Sequence, residues 1–155
     1  MTLLRASLLG GIDGCITSFA VVAGVHAGGL SRGALWVVGV SSVFADGLSM
    51  GVSEFLSSVT ETKSTVQSAR LGLACFALFV VCGMVPLVVY AAAGGGLLAC
   101  SAFSLVQLML LGVARAQCSA GGGSRLAALV QTAGLGGVAG AVAYAVAAAV
   151  HRAAE

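Results

Sequence analysis

Five long apolar runs decide what this chain can fold into. They fall at Leu8–Ala27, Leu35–Phe55, Leu71–Ala92, Leu97–Val113 and Leu126–Val150. A hydrocarbon core about 30 Å thick is crossed by about 20 apolar residues rising 1.5 Å each. All five meet or nearly meet that length, the fourth being the shortest. Inside lipid each backbone N–H and C=O must find its partner within the segment, so each run is a helix. The expected class is all-α: an integral membrane protein with five transmembrane helices in a single transmembrane domain, residues 1–155.

Composition closes the alternatives. Only 8% of residues are charged, against roughly 25% in a soluble domain. Seven basic and five acidic side chains cannot solvate a surface, and 59% of the chain is hydrophobic. A soluble enzyme, a disordered chain and a nucleic-acid binder are excluded. The 23 glycines follow no Gly-X-Y period; they suit helices that pack closely in lipid. Cys15, Cys75, Cys82, Cys100 and Cys118 form no CxxC pair, which speaks against a disulfide framework or a zinc site. They read as small buried hydrophobes.

Charge and punctuation organise the spans. Arg5 and Val25-His26-Ala27 give the first span a superficial likeness to a signal peptide, but Asp13 interrupts its apolar run, so a retained helix is expected. With the N-terminus cytoplasmic, the inner side holds Arg5, Lys63, Arg70, Arg115 and Arg125, and the outer side Arg32 and Arg152. This is the orientation the positive-inside rule selects, and it puts the C-terminus outside or in a lumen. Leu56–Arg70, with Glu61 and Lys63, reads as a short cytoplasmic loop. Ala91–Gly96 reads as a tight hairpin, Ala120–Ser124 as a glycine-rich turn, and Pro86 as a kink in the third span.

The acids within the spans carry the functional argument. Asp13, Asp46 and Glu54 lie in apolar runs, with no Lys or Arg deep enough to pair with them. Ionisable groups at that depth are costly and mark pathways. From the span ends, Asp13 and Met50 each lie about 7.5 Å deep, Asp46 about 13.5 Å, and Glu54 at the cytoplasmic mouth. Asp46, Met50 and Glu54 share an arc of about 80°, extended by Ser42, Ser53 and Ser57. Phe44, Leu48, Val52 and Phe55 take the other side. On the first span, Gly10, Asp13, Thr17, Ala20, Gly24 and Gly28 cluster on a matching face. Carboxylates bind divalent cations, and a thioether shifts the preference toward a transition metal such as Fe²⁺. Asp13, Met50, Glu54 and Asp46 are therefore the candidate metal ligands. The same carboxylates hold protons when no metal is bound, which makes proton–metal exchange natural.

Other polar residues have quieter readings. His26 and His151 flank the outer ends of spans one and five. Gly136 and Gly140 form a GxxxG suited to packing within one chain. Gln107 and Gln131 read as interhelical hydrogen-bonders. No nucleophile–base constellation or cofactor fingerprint is present, so no catalytic residue and no cofactor are expected.

Two stretches resemble the vacuolar iron transporter family. Ile12-Asp13-Gly14-Cys15-Ile16-Thr17-Ser18-Phe19 with Val22-Ala23-Gly24 is similar to its first-helix pattern. Ala45-Asp46-Gly47-Leu48-Ser49-Met50-Gly51 with Glu54-Phe55-Leu56-Ser57 is similar to its second. Met109–Gly112 and Gly136–Tyr144 are a looser match. The resemblance implies a five-helix protomer, a homodimer, and a path between the first two helices of both copies. It implies export of cytoplasmic Fe²⁺, often with Mn²⁺, to a vacuole or the exterior in exchange for protons. The family's key Asp, Met and Glu fall on Asp13, Met50 and Glu54. Two departures stand out. The family's Glu-rich metal-binding domain between spans two and three is replaced by Ser57–Arg70, with the single acid Glu61, as in short nodulin-like or bacterial forms. Asp46 occupies a position that is usually small. The residues alone leave two alternatives open: a proton-coupled exporter of organic cations, and a membrane scaffold whose acids pair with a partner's basic helix.

Overall fold

The structure, a computed structural model, describes residues 3–62, 64–118 and 125–154. The described residues form five helices: α1 (Leu3–Ala27), α2 (Arg32–Thr62), α3 (Thr65–Ala92), α4 (Leu97–Gln117) and α5 (Arg125–Ala154). All five are long and apolar enough to cross a membrane. Their outward faces carry Phe44 and Leu48 on α2, Val81 and Val88 on α3, Phe103 and Leu110 on α4, and Val138 and Val142 on α5. A surface so apolar needs lipid as its solvent, and the chain is an integral membrane protein.

The helices outrun the apolar spans. Leu56–Thr62 completes α2, and Thr65 through Arg70 opens α3. The segment 56–70 read as a loop is thus almost wholly helical, and Glu61 is an exposed residue of α2. Hydropathy marks where lipid ends, whereas the backbone ladder continues into water as long as neither Gly nor Pro stops it. Ser58 and Ser68 bridge the two extensions with a 3.1 Å hydroxyl hydrogen bond. Lys63 and the glycine-rich stretch Ala120–Ser124 lie outside the described residues.

The turns after α1 and after α3 each have a local cause. α1 ends where Gly29 takes φ +62, and the Leu30 N–H reaches back to the Val25 carbonyl at 3.0 Å. Glycine adopts that left-handed conformation without a Cβ penalty. Ser31 then caps α2, its Oγ accepting from the Ala34 N–H at 3.2 Å. Between α3 and α4, Gly94 and Gly95 have φ of 68 and 90. The expected hairpin there is a four-residue turn, Ala93 to Gly96.

α1 is the hub. It touches each of the other four helices, while α2 packs on α3, α3 on α4, and α4 on α5. Among the described residues α2 makes no contact with α4 or α5. The four outer helices therefore form an incomplete ring around α1, with one gap between α5 and α2. The closest seams are glycine-lined. A Cβ at Gly10 would collide with the Cys75 carbonyl, and one at Gly14 with the Phe79 carbonyl, so α1 and α3 meet backbone to backbone. Gly51 and Gly72 do the same for α2 and α3. Gly136 lies against Leu108 and Gly140 against Phe19, so the GxxxG of α5 packs within the chain.

α3 passes through Pro86 without ending. Proline has no N–H, so the Cys82 carbonyl one turn earlier loses its helical donor. The Gln107 side chain of α4 supplies one, Nε2 to carbonyl at 3.0 Å. Gln107 is thus the interhelical hydrogen-bonder expected of it. Gln131 is not placed for that role and faces outward, exposed on α5.

Candidate functional site

The gap in the ring exposes one strip of the central helix. Asp13, Thr17, Ala20 and Gly24 lie within an arc of about 60° on α1. Asp13 is exposed although Ile12, Gly14 and Cys15 beside it are buried. Of the small-residue face read on the first span, Gly10 turns away beneath α3. The rest faces the gap or, at Gly24 and Gly28, an apolar groove of about 820 Å³ shared with α5.

α2 forms one wall. It buries Leu35, Gly39, Val43, Gly47 and Gly51 at four-residue intervals. Phe44, Leu48 and Val52 point outward. Between these faces runs the polar stripe, with Asp46, Ser49, Ser53 and Ser57 exposed and Ser42, Met50 and Glu54 half-buried. The hydroxyl of Ser53 donates to the Ser49 carbonyl of its own helix at 2.8 Å.

Counting depth from span ends pairs Asp13 with Met50. The packed helices pair it with Asp46 instead. Gly10 and Gly51 both abut the Gly72–Phe76 turn of α3, while Gly14 and Gly47 both abut Phe79. Asp13, next to Gly14, therefore comes level with Asp46, next to Gly47. The two carboxylates lie within electrostatic reach of each other. The register is set by these glycine contacts rather than by where hydropathy fades. Met50 sits one turn further along α2, half-buried beside the core that includes Val43 and Phe79.

Cys75 was not among the residues singled out for the site. It is buried under the seam, against Gly10. It lies within electrostatic reach of both Glu54 and Asp13. Its sequence neighbourhood is an unbroken apolar run, which gave no sign of this.

Among the described residues no three His, Cys, Asp or Glu side chains converge to hold an ion. Within one chain the strip brings together Asp13, Asp46 and Met50 from two helices, with Glu54 one turn beyond Met50 on α2. His26 and His151 stand apart from it. His26 Nδ1 lies 3.0 Å from the Tyr90 hydroxyl, ring edge against face. His151 lines the outer groove.

Five helices long and apolar enough to span a membrane, and a carboxylate-bearing strip among them, define a polytopic membrane protein with a polar strip beside its central helix. Residues 4–70 match the sequence model of the VIT family. That segment holds α1, α2 and the start of α3. Similar proteins include the vacuolar iron transporter of Toxoplasma gondii, 40% identical over 58 residues, which are 37% of this chain and 19% of that protein. The vacuolar iron transporters of Plasmodium berghei and Plasmodium falciparum are 36% and 34% identical over 58 residues, 21% of each protein. The matched segment thus spans about a fifth of the length of these relatives.

Proposed function

We propose that the chain is one protomer of a homodimeric divalent-metal transporter. It carries Fe²⁺, and Mn²⁺ as a second cargo, from the cytoplasm into a vacuole or out of the cell, in exchange for protons. The observation that carries this reading is Asp13: a carboxylate left exposed among buried neighbours on the central helix, level with Asp46, in the gap that the described residues leave in the ring. A polar strip at membrane depth does not face lipid. A second copy applied across the gap would face each strip with its twin. Two sets of Asp13, Asp46 and Met50 would then surround one path, with Glu54 at its cytoplasmic mouth. The family match and the names of the relatives support metal as the cargo.

In mechanism, Glu54 and then Asp46 and Asp13 pass a dication along a ladder of carboxylates. The Met50 thioether biases the ladder against Mg²⁺ and toward softer ions. Once the metal leaves, closely spaced carboxylates take up protons, and the return of protons resets the site. The N-terminus lies in the cytoplasm and the C-terminus on the far side, as the basic residues imply.

The test is Fe²⁺ uptake into proteoliposomes under an imposed pH gradient. Wild-type uptake should require the gradient and collapse in Asp13→Asn. Met50→Leu should keep uptake but lose part of the preference for Fe²⁺ over Mg²⁺. A reconstituted wild type that moves none of several metals would sink the proposal and favour export of organic cations or a scaffold role.

A further inference from the structure

Pro86 divides α3 into halves that are held in different ways. Inward of it, backbone meets backbone: Cys75 and Phe79 press on Gly10 and Gly14 of α1, and Gly72 on Gly51 of α2. Such seams have no side chain that can rotate to make room. Outward of it, side chains make the contacts: Leu87 rests on Gly39, and Tyr90 meets His26. The Cys82 carbonyl, which Pro86 leaves without a helical donor, lies at the boundary.

α4 grips both sides of that boundary. Gln107 Nε2 donates to the Cys82 carbonyl at 3.0 Å. The Cys100 thiol donates to the Pro86 carbonyl at 3.4 Å. Gln107 is itself oriented from α1, because its Oε1 accepts from the Cys15 thiol at 3.4 Å. The amide is thus used at both ends, with only one orientation that satisfies both partners. Cys15 stands two residues from Asp13 on the same helix.

We infer that Pro86 is a hinge in α3 and that Gln107 is its clamp. The outer half of α3, the Ala93-to-Gly96 turn and the start of α4 form the moving part. The inner half of α3 stays fixed to α1 and α2. With the clamp made, α3 behaves as one rod; with it broken, the outer end opens while the Asp13 level stays shut. Through Cys15 the clamp is tied to the helix that carries Asp13. The inference rests on the helix packing and not on which ion moves.

Hydrogen–deuterium exchange of the full chain in lipid nanodiscs tests it. Gln107→Leu should speed exchange about three- to tenfold in the outer half of α3 and the start of α4. Gly10–Gly14 and Gly72–Phe79 should keep wild-type protection. Pro86→Ala restores the missing N–H, so Gln107→Leu in that background should change nothing further. If Gln107→Leu alone does not fold, the double variant should fold and exchange like Pro86→Ala. The hinge is overturned by unchanged exchange in Gln107→Leu, by a rise spread over all five helices, or by an effect that persists with Pro86→Ala. A double variant that does not fold also overturns it.

Discussion

Asp13 shows how neighbours decide the role of a side chain. Ile12 and Cys15 beside it go into the core, while Asp13 alone turns into the gap. Asp46, across the seam, adds a second negative charge at the same level. Removing one charge at short range in a partly desolvated site is worth about a tenfold change in cation binding or more. Asp46→Asn should therefore raise the KM for Fe²⁺ roughly tenfold in the vesicle assay while leaving some turnover. The glycines that set this level are equally sensitive. Gly14→Leu would drive a side chain into the Phe79 carbonyl. It should cost about 1–3 kcal/mol, read as a lower midpoint in denaturation by a mixed detergent. The candidate acids were legible in the sequence because charge in an apolar run is conspicuous. Which residues come level was not: Asp13 comes level with Asp46 rather than Met50 because Gly14 packs on the Phe79 backbone and Gly47 on the Phe79 ring, and hydropathy carries no record of these contacts. Cys75 escaped notice for the same reason, since a thiol in an apolar run looks like packing.

At the scale of the helix, the apolar spans located all five elements but not their ends. α2 continues through Thr62 because Ser57–Thr62 contains neither Gly nor Pro, and its polar side chains suit a helix that has left the lipid. Glu61 thereby comes onto the same side of α2 as Met50 and Glu54, at about 60° on the wheel where Asp46 is zero. Cysteine scanning over residues 56–62 should then give thiol accessibility with a helical period of about 3.6 residues, whereas a loop would label evenly. At its other end α2 depends on the Ser31 cap. Ser31→Ala should weaken the first turn by about 1 kcal/mol, visible as faster amide exchange at Ala34 and Leu35 with little change deeper in the helix. The proline of α3 was visible in the sequence. The repair of its lost hydrogen bond was not, because Gln107 lies on another helix and becomes a partner only once α4 has folded back.

At the scale of the whole molecule, the proposed dimer would close across the gap in the ring. Ser49→Cys stands on the exposed strip of α2, while Leu110→Cys stands on the outward face of α4. In a background without the native cysteines, mild oxidation should cross-link the first into dimers and leave the second monomeric. Equal cross-linking at both positions would argue against docking across the gap. The α2–α3 pair has a different consequence. α2 ends at Thr62 and α3 starts at Thr65, and Ser58–Ser68 and Gly51–Gly72 zip the two helices together below that point. The junction is a splice point, because the two helices are held side by side by contacts further along them. A folded insert whose own termini are adjacent could be grafted there without moving a single helix of the bundle. The bundle and anything carried at this junction are thus free to diverge separately, one under the rules of lipid and the other under the rules of water.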